Sequence, residues 1–155
     1  MKVIEGKDAI LGRLASYTAR EALKGEEIAI VNCEQIIITG NKKDIEEYLE
    51  SKRKRVGSTQ KGPKVSRTSE KIVKRTIRGM LPNYRTGRGR DAFKRIKCYV
   101  GVPKEFEAQK KISIDSDYKN KSKIVKVKEV SKWANRKFAT NLKPEVLNNG
   151  RIKNN

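Results

Sequence analysis

The 155-residue chain contains no histidine, so the commonest metal ligand and the usual neutral-pH general base are both missing. Its two cysteines, Cys33 and Cys98, stand far apart with no CxxC spacing, which excludes a zinc knuckle and a disulfide framework. Long apolar runs are absent as well. The longest clean ones, Ile28–Val31 and Ile36–Ile38, are far short of the roughly 20 residues that span a bilayer. The opening MKVIEGKDAI has no apolar core of a secretion signal, so the expected location is the cytoplasm, with no membrane partner. The sequon Asn120-Lys121-Ser122 then reads as a chance match.

Acid is scarce where base is plentiful. Lys and Arg number 38 against 18 Asp and Glu, a formal net charge of +20. Hydrophobic residues make up 35% and charged residues 36%, so the core must be modest and much of the chain must be surface or extension. Residues 1–50 carry a net −3, residues 51–100 a net +15 and residues 101–155 a net +8. A nearly neutral scaffold joined to one strongly basic working face needs an anionic partner, and nucleic acid is the commonest.

The motifs of small-molecule chemistry fail on spacing. Gly6 and Gly12 flank a strand-to-helix turn, but Gly12 is followed by Arg13-Leu14, not Lys-Ser/Thr, and no GxGxxG is present. A tight turn needing glycine accounts for both. Glu26-Glu27 and Glu46-Glu47 are adjacent pairs whose side chains diverge on a strand or helix, so neither makes an acid/base couple. Cys33 and Cys98, with no histidine to serve as base, read as small buried hydrophobes. No catalysis, cofactor, metal or small-molecule substrate is expected.

Periodicity outlines an α/β domain with a small parallel sheet. Met1–Glu5 reads as a strand. Leu11, Leu14, Ala15, Thr18, Ala19, Ala22 and Leu23 recur at helical spacing up to a stop at Gly25. Glu27–Asn32 and Gln35–Thr39 read as buried strands of the parallel sheet. Asn41 is placed to cap a second helix with a narrow stripe of Ile45, Tyr48 and Leu49. Residues 56–67 form a loop or arm. Thr68 caps a third helix through Met80, with Ile72, Val73, Thr76, Ile77 and Met80 on one face and Lys71, Lys74, Arg75 and Arg78 on the other. Pro82 ends it. After a loop over 83–89, Asp91–Ile96 reads as a short helix feeding a strand over Lys97–Val102. Residues 103–123 show no period, and Val130, Trp133, Ala134 and Phe138 suggest a last helix. Residues 1–140 are expected to form a single domain with a basic arm at 52–67, and residues 141–155 an extended tail.

The basic constellation is the chemical signal. Lys52, Arg53, Lys54 and Arg55, then Lys61, Lys64 and Arg67, then Lys71, Lys74, Arg75 and Arg78, then Arg85, Arg88, Arg90 and Lys94 follow with almost no acid between them. Lysine and arginine at phosphates release counterions, and arginine binds them bidentately. Gly57, Gly62, Gly87 and Gly89 would let backbone N–H groups approach phosphates, and Tyr84 could stack on an unpaired base or a sugar. The third helix shows only Lys and Arg outward, a phosphate-binding face rather than a base-reading one. Folded RNA suits such arms better than duplex DNA.

Two blocks carry a resemblance. Arg78-Gly79-Met80-Leu81-Pro82, then Arg88-Gly89-Arg90, Ala92, Lys94–Lys97 and Tyr99-Val100-Gly101-Val102-Pro103 form one. Leu11–Ser16, Val31-Asn32 and Ile38–Asn41 form the other, about 70 residues away. Over roughly residues 1–103 the chain closely resembles the large-subunit ribosomal protein L13 family. It is most similar to the archaeal and eukaryotic branch, because the 52–67 arm lacks the aromatic, His-containing stretch of bacterial members.

The resemblance implies a three-layer α/β/α fold with a small, mostly parallel sheet, and basic loop and C-terminal extensions. It also implies a structural role without catalysis: binding large-subunit rRNA beside neighbouring large-subunit ribosomal proteins and stabilising it during assembly. Gly79, Met80, Leu81, Pro82, Gly101 and Pro103 take structural roles, Met80 and Leu81 in core packing and helix termination. Arg13 in the first block joins the RNA-contact candidates. Asn83 stands where many members carry Lys, so no phosphate contact is assigned there. The other readings are a chromatin- or tRNA-associated nucleic-acid module and an extra-ribosomal regulator of mRNA.

Overall fold

The computed structural model of the chain describes residues 1–55, 64–114 and 123–139, the side chains of Phe138 and Ala139 excepted. In chain order the elements are β1 (Lys2–Glu5), α1 (Leu11–Leu23), β2 (Ile28–Val31), β3 (Ile37–Thr39), α2 (Lys42–Lys54), α3 (Ser69–Met80), α4 (Gly87–Arg95), β4 (Ile96–Cys98), β5 (Lys111–Ser113), β6 (Ile124–Lys126) and α5 (Val127–Ala139), with 3-10 turns at Cys33–Gln35 and Lys104–Phe106.

Four strands form a parallel sheet in the order β4-β2-β1-β5. Ile4 pairs with Ile30 on one side and Ile112 on the other, and Ile30 pairs in turn with Cys98. All four residues of β2 are buried, because its alternate side chains enter two cores. Ile28 and Ile30 join Ile4 and Ile96 under Leu14, Ala15 and Ala22 of α1, Val73 and Ile77 of α3 and Ala92 of α4. Ala29 and Val31 turn to the opposite face with Val3 and meet Phe106 of the second 3-10 turn, packed by Tyr99 and Val102. The fold is α/β with helical layers on both faces, the second of them only a turn thick.

The first helix is held at its C-terminal end. Gly25, with φ of +105°, closes α1. Its N–H bonds to the Ala22 carbonyl at 3.1 Å, and the Glu26 N–H reaches back to the Glu21 carbonyl at 3.3 Å, a left-handed closure that favours glycine. Beside it, the Glu21 carboxylate takes Lys2 Nζ at 2.7 Å and Lys24 Nζ at 2.6 Å. These two donated hydrogen bonds hold the Glu21 carboxyl down at about 2, and they fasten the end of α1 to the start of β1.

Several expectations change at this point. The 35–39 segment opens as a 3-10 turn, and β3 pairs antiparallel with β6, Ile38 opposite Val125. Its Ile37 also forms a parallel bridge with Ile10, Ile38 packs against the core of the parallel sheet, and Thr39 is exposed. The 103–123 region contains β5 and a 3-10 turn where no period was visible. The strand expected over Lys97–Val102 is the three residues Ile96–Cys98; beyond it Gly101 turns with φ of +70°. The fourth helix starts at Gly87, four residues earlier than expected. Of the two glycines assigned to the first turn, only Gly6 is required, since a Cβ there would lie 2.7 Å from the Val31 carbonyl oxygen; nothing stands near Gly12.

Candidate nucleic-acid interface

The two faces of α3 divide packing from charge. Val73 and Ile77 are fully buried, and Leu81 just past the helix enters the same core. Met80 does not: it is 43% exposed, so the expectation that Met80 packs in the core is corrected, and Leu81 alone fills that role. Met80 is the last residue of α3, and it is Leu81, in extended backbone just beyond it, that turns into the core. Outward stand Lys71 and Arg75, exposed, and Lys74 and Arg78, half-buried.

Those half-buried cations rest on aromatic rings supplied by the next elements. Lys74 Nζ lies 5.0 Å from the Phe93 ring centroid, and the Arg78 guanidinium lies 4.6 Å from that of Tyr84. Arg85 approaches the same Tyr84 ring at 5.7 Å. Tyr84 in turn meets Phe93 edge-on at 6.4 Å. The Tyr84 hydroxyl is shifted down in pKa by hydrogen bonding to Arg85 and then by the positive field of Arg85, Arg78 and Arg75. Cation–π contacts hold the positive groups upright over a flat apolar support instead of leaving them to wave in water.

The turn that presents Tyr84 is built by Asn83. Its side-chain oxygen accepts from the Arg85 N–H at 3.2 Å, and its amide donates to Thr86 Oγ1 at 2.9 Å. Asparagine at this position folds the turn, a role that motif comparison alone did not reveal. Gly89 has an internal role too. It is buried, and a Cβ on it would stand 2.7 Å from the Asn83 carbonyl oxygen and closer still to that of Pro82. The glycine lets α4 dock on the Pro82–Asn83 turn, which corrects its expected use as a backbone phosphate contact. It also explains why a Gly-Arg-Gly-Arg stretch is helical where propensity alone favours a loop.

The chain returning from the arm is fixed at two points. Arg75 donates to the Lys64 carbonyl, and Ser131 Oγ on α5 donates to the Arg67 carbonyl at 2.7 Å. On the other side, α2 has no buried residue. It lies against α5 through Lys42–Glu129 at 3.4 Å and Glu50–Lys137 at 3.9 Å, with Lys52 Nζ 4.1 Å from the exposed Tyr48 ring.

Thus Lys52, Arg75, Arg78 and Tyr84 border one cleft, and Lys71 and Lys74 border a neighbouring hollow with Lys97. Arg85 joins through the Tyr84 ring. Arg88, Arg90 and Lys94 stand exposed on α4, Lys64 and Arg67 are exposed on the returning chain, and Arg55 is exposed at the end of α2. Arg53 is half-buried on α2, and Lys54 pairs with Glu50 at 3.2 Å. Arg13 is exposed in the first turn of α1, and no contact among the described residues joins it to this cluster. Lys61, Gly57 and Gly62 lie outside the described residues. Gly101 and Pro103 are structural: the Gly101 N–H donates to Glu34 Oε2 at 3.1 Å, and the Pro103 carbonyl accepts from Phe106 at 2.9 Å.

Phe93 and Ser131 were not anticipated. Cys33 and Cys98 are both free thiols, the first buried and the second half-buried. The neighbouring Cys98 thiol, and then burial, push the Cys33 thiol far up in pKa, and its S–H donates to the Ile30 carbonyl at 3.6 Å, which keeps it protonated and unreactive. Among the described residues no helix is long and apolar enough to cross a membrane.

A parallel α/β body carrying cations on aromatic supports along one helix–turn–helix edge is the build of a scaffold for a polyanion. The comparisons give that class its family. A family model described as ribosomal protein L13 matches residues 1–105, and the chain belongs to that family. It is 47% identical over 141 residues to the large ribosomal subunit protein uL13 of Methanocaldococcus jannaschii, covering 89% of this chain and all of that one. The protein of the same name from Methanosarcina barkeri is 46% identical over 143 residues, with the same coverage. That from Methanopyrus kandleri is 49% identical over 105 residues, 68% of this chain and 65% of its own. These relatives are archaeal, within the archaeal and eukaryotic branch that the arm's lack of an aromatic, His-containing stretch pointed to.

Proposed function

We propose that the chain is a structural constituent of the large ribosomal subunit, with residues 1–140 serving as one domain that binds large-subunit rRNA and stabilises its folding during assembly. One observation carries this reading: cations of α3 are propped on the rings of Tyr84 and Phe93, in a segment whose net charge is +15. The body gives a rigid, nearly neutral platform. The α3 face, the 82–86 turn and α4 then neutralise phosphates where RNA helices converge and would otherwise repel one another. Neighbouring large-subunit proteins meet the remaining surface, and no catalytic step is assigned.

Sedimentation of ribosomal particles after a high-salt wash tests this. The chain stays with the large subunit, and the purified protein binds large-subunit rRNA with a log–log salt slope of roughly −6 to −9, as neutralising about eight to ten phosphates requires. Release from the particle at modest salt, or equal affinity for duplex DNA, would overturn it in favour of a looser nucleic-acid-binding role.

A further inference from the structure

Between α2 and α3 lies an open cleft of about 560 Å³, within the range of about 300–1,000 Å³ that suits small ligands and well below what a duplex needs. Each wall pairs a π surface with a positive charge. On the α2 side Tyr48 carries Lys52 over its ring; on the α3 side Tyr84 carries Arg78. The floor between them is apolar, from Leu49, Ile72 and Leu81. Tyr48 is 54% exposed, and no packing requirement of the described fold accounts for an aromatic ring there.

Gly79 supplies the second, independent observation. It borders the cleft in the last turn of α3, where glycine is the weakest helix former after proline. Nothing among the described residues requires it. Its φ is not positive, and a Cβ there would have no atom within 4 Å. Gly6 and Gly89 are the contrast, since each is pressed against a carbonyl oxygen. At Gly79 the missing side chain leaves space in the cleft and relieves no internal clash.

From this we infer that the cleft holds a single unstacked nucleotide of the bound RNA: the base slides between the Tyr48 wall and the Tyr84 wall over Gly79, and its phosphates meet Lys52 and Arg78. Flat π faces with flanking cations match the two halves of a nucleotide, and unpaired RNA bases are held by such stacking. This assignment rests on the rRNA reading above and adds a base contact to its phosphate contacts.

The test uses the full chain and three variants: Gly79→Leu, which fills the cleft; Gly79→Ala, which only lines it; and Tyr48→Ala on the opposite wall. Affinity for large-subunit rRNA is measured across a salt series, with thermal melts as the folding control. Gly79→Leu and Tyr48→Ala are each expected to lose about tenfold in affinity, the scale of one base stack, with the salt slope shallower by no more than about 2, for the phosphates at Lys52 and Arg78. Gly79→Ala is expected to bind within about twofold of wild type. As a probe, AMP and UMP should perturb the Gly79 and Tyr48 amide resonances, and ribose 5-phosphate should do so far less. Wild-type affinity in both filled-cleft and ring-deleted variants, with a steep slope retained, overturns the nucleotide site and leaves the rRNA reading standing. No rRNA binding by the wild-type chain overturns both.

Discussion

Helices α1 and α3 cover the same face of the same sheet, yet their outer surfaces do different work. On α1, alanines 15, 19 and 22 let the helix lie close to β1 and β2, and its buried carboxylate Glu21 is bonded to lysines of its own chain. On α3, branched side chains Val73 and Ile77 enter the core, while the outward lysines and arginines have no acidic partner among the described residues, and Lys74 and Arg78 rest on rings instead. The carboxylate of the first helix is spent on folding; the cations of the third are left over for something else. Two helices with similar packing thus separate stability from binding by whether their ionic groups are already paired.

The largest effect that sharpens this division is in the core of α3. Ile77→Ala removes a fully buried side chain and should cost about 2–5 kcal/mol in denaturant unfolding, while the fraction that remains folded binds RNA with an unchanged salt slope. A changed slope would mean that packing and charge on α3 are not separable. The converse change, Arg75→Ala with Arg78→Ala, should shallow the slope by about 2 and cost about 1 kcal/mol or less in stability, because cation–π contacts and exposed hydrogen bonds of this kind are weak. An unchanged slope would remove α3 from the binding face.

On α1 the same logic is read through pH. Lys2 and Lys24 hold Glu21 at about 2 against an ordinary value of 4.5. A carboxylate lowered on folding contributes stability that is fully present above its unfolded pKa and is lost as pH falls through the folded one. The stability gap between wild type and Glu21→Gln should therefore be constant at pH 6–7 and close between about 4.5 and 2. RNA affinity at neutral pH should be equal in the two. A gap that stays constant down to pH 2 would mean that the pair contributes nothing beyond shape.

How much of this was legible depends on length and on locality. Leu14, Thr18 and Ala22 on α1, and Val73 and Ile77 on α3, repeat often enough to declare their helices and inner faces. The cationic stripe of α3 was legible for the same reason. Strands β5 and β6 are three residues each, too short to show an alternation. The pairing of β3 with β6 across more than 80 residues has no local signature, so β3 read as a member of the parallel sheet. Gly87 and Gly89 argued for a loop because the use of Gly89 in a helix depends on Pro82 and Asn83 carbonyls that only the folded chain brings near. The cleft was invisible for that reason too: Tyr48 comes from α2 and Tyr84 from the turn after α3, and their facing each other across one cleft is a tertiary fact.

The smallest expected effect probes the one place where α1 breaks its own rule. Thr18 is fully buried on the inner face, and its Oγ1 is the one buried side-chain polar atom without a hydrogen-bond partner among the described residues. An unpaired buried hydroxyl costs free energy because water once satisfied it and nothing in the core replaces that water. Valine keeps the branched shape and removes the hydroxyl, and its χ1 preference in a helix is compatible with the same packing. Thr18→Val should therefore stabilise the protein by about 1 kcal/mol, measurable as a raised denaturant midpoint at constant m-value. Its RNA affinity and salt slope should match wild type. A loss of stability would show that the hydroxyl finds a partner in solution, such as a bound water, and that α1 is as completely paired as its carboxylate suggests.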